Sequence, residues 1–378
     1  MIDYLKMPTQ NKVEECRVLG GIDTLYFFVD TARSELYHKI WSLVLLEQFQ
    51  RDGYSFLGFS GKSRGFVGAW FTFRRDSVLL FRIGFKDPSK QKNVNNIQVQ
   101  LYASGIYYLG FFDLLNLVKS ELSSLLEIDL EYSHFITSRV DLNAFVDGFD
   151  FSQISSEMFR SRFACSEPHS SSQYAFDLDD TYNYSKHHRL QSLYLGSRQN
   201  SLYFKIYDKK LEMMTRFESG GEDAFQSTIK LAYLQEHGFW SDHIWNIEFT
   251  LKREVLKQFS IFTVSDLFDL GNSVFKELCS SCSFLGFDVD LINDAKKNNH
   301  ISRLPMHPIW QKVVDSYDFF IGGVDSQRIY IRYKNITKEK STYILAKQLE
   351  KQINLDQAYT QREWNEIFYN YERIISTS

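Results

Sequence analysis

Cysteine is scarce in this sequence of 378 residues, which contains only four. Cys16 and Cys165 stand alone, while Cys279 and Cys282 have the spacing of half a zinc site and no second pair to complete it. These counts exclude a disulfide-stabilised scaffold and a zinc finger, and they predict reduced structural thiols.

Long apolar runs are also missing. No segment approaches the roughly 18 consecutive apolar residues that a membrane helix needs, and the N-terminal residues lack the shape of a signal peptide. We therefore expect a cytoplasmic protein without a membrane partner. Apolar residues nevertheless make up 44 % of the chain and aromatic residues 16 %, which is enough for a large core and leaves rings that could stack on unpaired bases.

The charge is unevenly distributed along the chain, although the net charge is only −4. Residues 61–92 contain eight Lys or Arg and two acids, and residues 186–216 contain seven and two. Residues 141–180 are acidic, with eight Asp or Glu against two Arg. Two basic segments on an acidic body are typical of a confined groove for a phosphate backbone, and solvated loops are the alternative.

A short strand pattern is the most informative local feature. From Leu202 to Lys209 the residues alternate, so that one face presents Tyr203, Lys205, Tyr207 and Lys209 and the other is apolar. A phenol between ammonium groups suits attack on a phosphodiester, because the cations hold the phosphate and stabilise the phenolate. An amphipathic strand with a solvated basic face would give the same pattern.

Two acidic residues lie on other predicted strands with alternating faces. Asp141 shares its face with Arg139 and Asn143, and Glu248 shares its face with Asn246 and Thr250. If these strands lie beside the strand of Tyr207, two carboxylates come next to the phenol. Oxygen ligands suit Mg²⁺ or Mn²⁺, whereas ordinary solvent-side acids are the alternative interpretation.

Three sequence blocks resemble, in the same order, the Rep_trans family of rolling-circle replication initiators. The blocks are Thr137-Ser-Arg-Val-Asp-Leu-Asn-Ala-Phe-Val-Asp147, Tyr194-Leu-Gly-Ser-Arg198 running into Lys205-Ile-Tyr-Asp-Lys-Lys-Leu-Glu212, and His243-Ile-Trp-Asn-Ile-Glu-Phe-Thr-Leu-Lys-Arg-Glu254. They lie within residues 137–254, about a third of the chain. The His-x-His metal motif of the other large nickase superfamily is missing.

The resemblance implies an enzyme that binds the double-stranded origin of its replicon and nicks one strand. Tyr207 would be the nucleophile, leaving a 5′-phosphotyrosine and a free 3′-OH primer, with Lys205 and Lys209 at the phosphate. Asp141 and Glu248 would hold Mg²⁺ or Mn²⁺. The expected DNA-binding residues are Arg139, Arg198, Lys210, Arg74, Arg75 and Arg82. Expected partners are origin DNA, the nicked single strand and a host helicase, and a homodimer is left open.

Several alternatives stay open. Tyr203 or Tyr194 could replace Tyr207 as nucleophile. Family members often have Arg-x-Glu-x-Glu where this chain has Asn246-Ile-Glu-Phe-Thr250, so the ligand set could be smaller, or completed by Asp23, Asp147 or His243. A DNA-binding regulator without nicking activity, or an unrelated α+β protein, would also fit.

The predicted fold class is α+β, with a mostly antiparallel sheet, flanking helices and a C-terminal helical or mixed appendage. Residues around Ile22-Asp23 and Val140-Asp141 echo each other, which predicts a tandem duplication of one α+β unit. We predict a DNA-binding first unit over 1–130, a second unit with the nicking centre over 131–265 and an accessory segment over 266–378. Locally, we expect a strand over 97–110 and a helix over 150–162.

Overall fold

A computed structural model describes residues 13–29, 35–46, 50–60, 68–88, 96–152, 154, 156–161, 192–196 and 200–320. The chain divides into two compact units, Met1–Arg328 and Ile329–Ser378, and all described residues belong to the first. No helix in the described residues is long and apolar enough to cross a membrane.

Eleven strands form two sheets in the described residues. The strands are β1 (Arg17–Val29), β2 (Tyr54–Ser60), β3 (Gly68–Arg75), β4 (Val78–Lys86), β5 (Ile97–Leu101), β6 (Phe135–Asp147), β7 (Phe159–Ser161), β8 (Ser192–Leu195), β9 (Leu202–Asp208), β10 (Ile244–Lys252) and β11 (Cys282–Phe284). Nine of them form one sheet in the order β2-β3-β4-β5-β1-β6-β10-β9-β8, and β7 pairs with β11 in a second, small sheet. Every pairing is antiparallel.

Nine α-helices accompany the strands in the described residues. They are α1 (Glu35–Leu45), α2 (Ala103–Leu109), α3 (Phe111–Leu126), α4 (Lys209–Ser219), α5 (Gly221–Glu236), α6 (Arg253–Gln258), α7 (Val264–Ser281), α8 (Val289–Lys297) and α9 (Pro308–Ser316). Together with the sheet they make the mixed α+β class that the sequence predicts.

The two faces of the large sheet differ because the strand sequences alternate. One face is apolar and is covered by α7 and the segment around α9, where Phe275 packs 5.7 Å from Phe249 and stacks 3.8 Å from Tyr317. Tyr317 also lies against β1 at Gly20, where an added Cβ would be 2.7 Å from the tyrosine ring. The opposite face is polar and contains Tyr207, so we call it the polar face.

Helices α2, α4 and α5 lie near one end of the polar face. Tyr107 of α2 donates a 2.7 Å hydrogen bond to Asp23 of β1 and packs 4.9 Å from Tyr233 of α5. Asp23 occupies an irregularity in the pairing of β1 with β6, between Ile22 and Thr24. These contacts enclose a small volume beside Tyr207.

Some local predictions are wrong. The strand expected over 97–110 ends at Leu101, and α2 begins at Ala103. The helix expected over 150–162 is instead the 3-10 helix Ser156–Met158 followed by β7, because Phe159 is buried against Phe204 and Phe284. Tertiary contacts of this kind override local apolar spacing.

Both predicted α+β units contribute to the same sheet, through the pairing of β1 with β6. The predicted duplication and the functional division at 130 and 265 stay predictions. The expected accessory segment lies against the sheet through Phe275, 5.7 Å from Phe249, and Trp310, 6.0 Å from Phe204. Residues 321–378 fall outside the described part.

Candidate active site

Tyr207 lies near the end of β9 with its side chain on the polar face, 3 % exposed. Its phenol oxygen accepts a 3.1 Å hydrogen bond from Lys209 Nζ and a 2.8 Å hydrogen bond from Asn246 Nδ2. Asn143 orients the Asn246 amide by donating to Asn246 Oδ1 at 2.9 Å. The oxygen proposed to attack is thus held by two donors on neighbouring elements.

Lys209 reaches Tyr207 from a helix and not from the strand. The sequence pattern predicts that β9 continues to Lys209, but the strand ends at Asp208, whose side chain caps α4 by accepting from the Leu211 amide at 2.8 Å. Lys209 is the first helical residue and is buried, and it forms a 2.6 Å ion pair with Glu212. The predicted neighbourhood of Tyr207 and Lys209 is correct, although the backbone conformation is not.

Lys205 lies on β9 and faces the same phenol. Its ammonium is 3.0 Å from Glu248 Oε2 and 4.7 Å from the centre of the Tyr207 ring, and Lys209 Nζ is 5.2 Å from that centre. Both lysines therefore lie beside the Tyr207 side chain, and their catalytic role stays a prediction.

A cavity of about 260 Å³ opens beside Tyr207. It is lined by Asp23, Tyr194, Tyr203, Lys205, Tyr207, Lys209, Glu212, Arg216 and Lys230. We call this the Tyr207 pocket. Four cationic side chains face two acidic ones in this lining, so the pocket favours an anion. The two alternative nucleophiles, Tyr194 and Tyr203, line the same pocket.

Burial sets the protonation of the pocket. Burial, with the charges of Glu212 and Glu248, raises the pKa of Tyr207 well above its ordinary value, so the resting phenol is protonated. Burial and then the charge of Lys209 lower the pKa of Lys230 to about 8. Burial opposes ionisation of Asp23, but Lys209, Lys230 and Lys205 outweigh it and hold the pKa of Asp23 well below its ordinary value.

The two predicted metal ligands lie on adjacent strands, β6 and β10. In the register, Asp141 is opposite Thr250 and Glu248 is opposite Asn143. Each carboxylate already has a cationic partner, since Arg139 forks onto Asp141 at 2.9 and 2.6 Å and Lys205 pairs with Glu248. Burial, despite Lys205 and with added repulsion from Asp23 and Asp141, raises the pKa of Glu248 to about 7.

The donor chemistry at these strands fits a small hard cation with few protein ligands. The buried atoms Asn143 Oδ1 and Thr250 Oγ1 have no hydrogen-bond partner and lie opposite Glu248 and Asp141 in the register. In the described residues no group of three or more His, Cys, Asp and Glu side chains is placed to hold a metal. Magnesium is commonly held by one or two carboxylates, with substrate phosphate and water completing the shell.

The three alternative metal ligands do not lie together in the fold. Asp23 lines the Tyr207 pocket, whereas Asp147 accepts hydrogen bonds from the backbone amides of Trp240 and Ser241 at 3.1 and 3.2 Å. His243 lies 3.9 Å from Asp150. Neither Asp147 nor His243 lines the pocket, and their contacts are those of a structural turn.

The predicted DNA-binding residues are spread over several elements. Arg74 pairs with Glu222 of α5 at 2.7 Å, Arg75 is exposed at the end of β3, and Arg82 lies over the Trp70 ring. Lys210 is half-buried at the start of α4, and Arg139 is held by Asp141. Arg198 lies outside the described residues.

Sequence reasoning missed Lys230, Glu212 and Arg216 as members of the pocket. Arg216 and Glu212 form a 2.8 Å ion pair one turn apart on α4, which a helical reading of the sequence could have found. Lys230 lies on α5 and had no such signal, because only the packing of α5 brings it to the pocket.

No protein-family model matches the sequence, and no curated protein matches it. A solved structure described as a rolling circle replication initiator protein from Geobacillus stearothermophilus is similar, with a TM-score of 0.41 and 12 % sequence identity. The similarity covers 80 % of this chain and 98 % of that chain.

Proposed function

We propose that this protein is a replication initiator that binds the double-stranded origin of its replicon and nicks one strand through Tyr207. The observation that supports this most directly is the phenol oxygen of Tyr207, bound by Lys209 and Asn246 at the wall of a pocket with excess positive charge. The three sequence blocks add support because they place Asp141, Tyr207 and Glu248 on the three strands that the sheet makes neighbours.

In the proposed reaction the Tyr207 oxygen attacks the phosphorus of one phosphodiester. A bond forms between this oxygen and phosphorus, and the bond from phosphorus to the 3′ oxygen breaks. The phenol loses its proton and the leaving 3′ oxygen gains one, so the reaction needs no net proton and conserves the phosphodiester bond energy. Lys209 would stabilise the phenolate as it forms, and Lys205, Arg216 and Lys230, which line the pocket, would balance charge on the phosphate.

A divalent cation is part of this proposal. Asp141 and Glu248 would hold Mg²⁺ or Mn²⁺, and Asn143 Oδ1 and Thr250 Oγ1 are the neutral oxygens nearest to them in the register. Such a cation would polarise the phosphate and offset developing negative charge. Arg139 and Lys205 keep the two carboxylates ordered on the strands.

The proposed partners are duplex origin DNA, the nicked single strand and a host helicase, with a homodimer left open.

A DNA-binding regulator that does not nick DNA is the second candidate function. The observation that favours it is the 3 % exposure of Tyr207, since a nucleophile must meet its phosphate. If the protein is instead a nicking initiator, the pocket must open when DNA binds so that Tyr207 can reach the phosphate.

One experiment separates these functions. The protein is incubated with supercoiled DNA of its own replicon and Mn²⁺, and nicked circles and protein-linked DNA are measured. We expect both products from the wild type and neither from Tyr207→Phe, because that change removes only the attacking oxygen. Tyr203→Phe, on the same strand face, is the matched control and should retain both.

Origin binding by Tyr207→Phe should equal that of the wild type. Covalent DNA on Tyr207→Phe would move the nucleophile to Tyr203 or Tyr194, which line the same pocket. Origin binding without any nicking by the wild type would support the regulator.

A further inference from the structure

The polar face outside the Tyr207 pocket contains a straight line of side chains across six adjacent strands. Directly opposed residues in antiparallel strands share a face. The register aligns Thr72, Arg82, Gln100, Tyr26, Arg139 and Lys252 in this way. We call this the cross-strand row. Five strand spacings make it about 24 Å long.

The row and its neighbour Trp70 combine cationic and aromatic groups in two contacts. The Arg82 guanidinium lies 4.5 Å from the centre of the Trp70 ring, and the Arg139 guanidinium lies 5.3 Å from the Tyr26 ring. All four side chains are half-buried, so each keeps some surface accessible. Proteins that bind unpaired nucleic acid combine cations for the backbone with rings on which bases stack.

Two buried polar atoms in the row lack hydrogen-bond partners. They are Arg82 Nε, a donor, and Gln100 Oε1, an acceptor, at directly opposed positions of β4 and β5. Unsatisfied buried polar atoms are uncommon because each forfeits the hydrogen bond it made with water. The hydrogen bonding of the row is therefore incomplete at these two positions, and the half-buried Arg82 guanidinium keeps surface that a phosphate can reach.

The row is continuous with the pocket. Asp141 follows Arg139 on the same face of β6, and its register neighbours Thr250 and Tyr203 lead to the pocket wall. A strand lying on the row would therefore enter the pocket from the side of Arg139. Asp141 is the acid next to this path, and Arg139 offsets its charge.

We propose that the cross-strand row binds unpaired DNA, with bases stacked on Tyr26 and Trp70 and phosphates on Arg82 and Lys252. This inference rests on the proposed nicking function in one respect, namely that the bound strand leads into the Tyr207 pocket. The spacing of about 3.4 Å between phosphates along a helically stacked strand sets an upper limit of about seven nucleotides for the row, and fewer fit when bases leave that stack to lie on Tyr26 and Trp70. Duplex DNA fits less well because its bases are already stacked on one another.

The test measures equilibrium binding of fluorescein-labelled oligo-dT of 4 to 16 nucleotides, and of a blunt hairpin duplex, by anisotropy. All proteins contain Tyr207→Phe, so that cleavage does not intervene. The variants are Tyr26→Leu and Arg82→Gln. Arg303→Gln is the matched control, because Arg303 is exposed on the 3-10 helix Ile301–Arg303, away from the row.

We expect affinity to rise with length, to at most about seven nucleotides, and then to level off. Tyr26→Leu should weaken oligo-dT binding by roughly 5- to 140-fold, the range for loss of one stacked base. Arg82→Gln should weaken it and lower the salt slope by about 0.7 for one lost phosphate contact. Duplex affinity should change less than about twofold, and Arg303→Gln should match the parent.

Equal losses for oligo-dT and duplex, or no loss in either variant, would overturn the proposal. Arg82→Lys guards against misfolding, because it keeps the charge while losing the planar group over Trp70; it should keep the salt slope and lose part of the affinity. If the wild type fails to nick while oligo-dT binding follows these expectations, the proposed nicking function is contradicted and the proposed role of the row is supported. If the wild type nicks but oligo-dT binding does not follow these expectations, only the proposed role of the row is contradicted.

Discussion

Lys205 and Lys209 both face Tyr207, yet their partners give them different roles. Lys209 donates to the phenol oxygen, and its acidic partner Glu212 also pairs with Arg216. Lys205 pairs with Glu248, which is 2 % exposed in its side chain and has no second ion pair among the described residues. If Lys209 is removed, Glu212 is still paired with Arg216. If Lys205 is removed, Glu248 loses its ion pair.

We expect Lys209→Gln to lower the single-turnover nicking rate at saturating DNA with little change in affinity, because its charge matters most as the phenolate forms. Lys205→Gln should also slow nicking and should in addition destabilise the protein by roughly 1–3 kcal/mol, through the unpaired Glu248. The measurements are quench-flow nicking and urea unfolding. Equal unfolding free energies for the two variants would contradict the difference in partners.

At the level of secondary structure, β6 and β10 present Asp141 and Glu248 to the same region of the polar face. Asp141→Asn and Glu248→Gln should each suppress nicking far more than origin binding, and raise the Mn²⁺ concentration needed for half-maximal rate, because a hard-cation site loses a charged ligand. Asp129→Asn, at an exposed position, is the control. An unchanged Mn²⁺ dependence in both variants would contradict the assignment of Asp141 and Glu248 as metal ligands.

Helix α5 brings Lys230 into the pocket, where the pKa of its ammonium is lowered to about 8. The unfolded lysine titrates near 10.5, so between pH 8 and 10.5 the unfolded state binds more protons and stability rises with pH. Below pH 8 both states are protonated and the cost of burying the charge is fully present. The stability of Lys230→Met relative to the wild type should therefore be about 1–3 kcal/mol greater at pH 7 than at pH 10.5.

Urea unfolding of the wild type and Lys230→Met across pH 7 to 10.5 checks this expectation. The difference in unfolding free energy between the two proteins should shrink as pH rises. A difference that is constant with pH would show that Lys230 titrates normally. Lys257→Met, on α6 and exposed, is the matched control.

At the scale of the whole molecule, the segment after 265 completes the core. Phe275, Trp310 and Tyr317 are buried against the apolar face of the sheet. A chain ending at 265 would expose that face, so we expect it to aggregate or to lack a cooperative thermal transition, whereas a chain ending at 328 should unfold cooperatively. A cooperative transition in the shorter chain would contradict the view that the segment after 265 completes the core.

Alternation along the chain was sufficient to predict much of the polar face. The β9 pattern places Tyr203, Lys205 and Tyr207 together, and the strand predicted around Glu248 is observed as β10. These predictions succeed because side-chain direction in a strand depends on sequence position alone. The helix over 150–162 failed because its apolar residues are buried by partners distant in sequence, such as Phe284.

The sequence by itself determined the α+β class, the amphipathic strands and the candidate chemistry of Tyr207, Asp141 and Glu248. Only the tertiary structure decided which residues surround the phenol. Asn246 reaches Tyr207 through strand register, and Lys230 through the packing of α5. Register and helix packing arise from contacts between residues far apart in the chain, and a pattern read locally does not contain them.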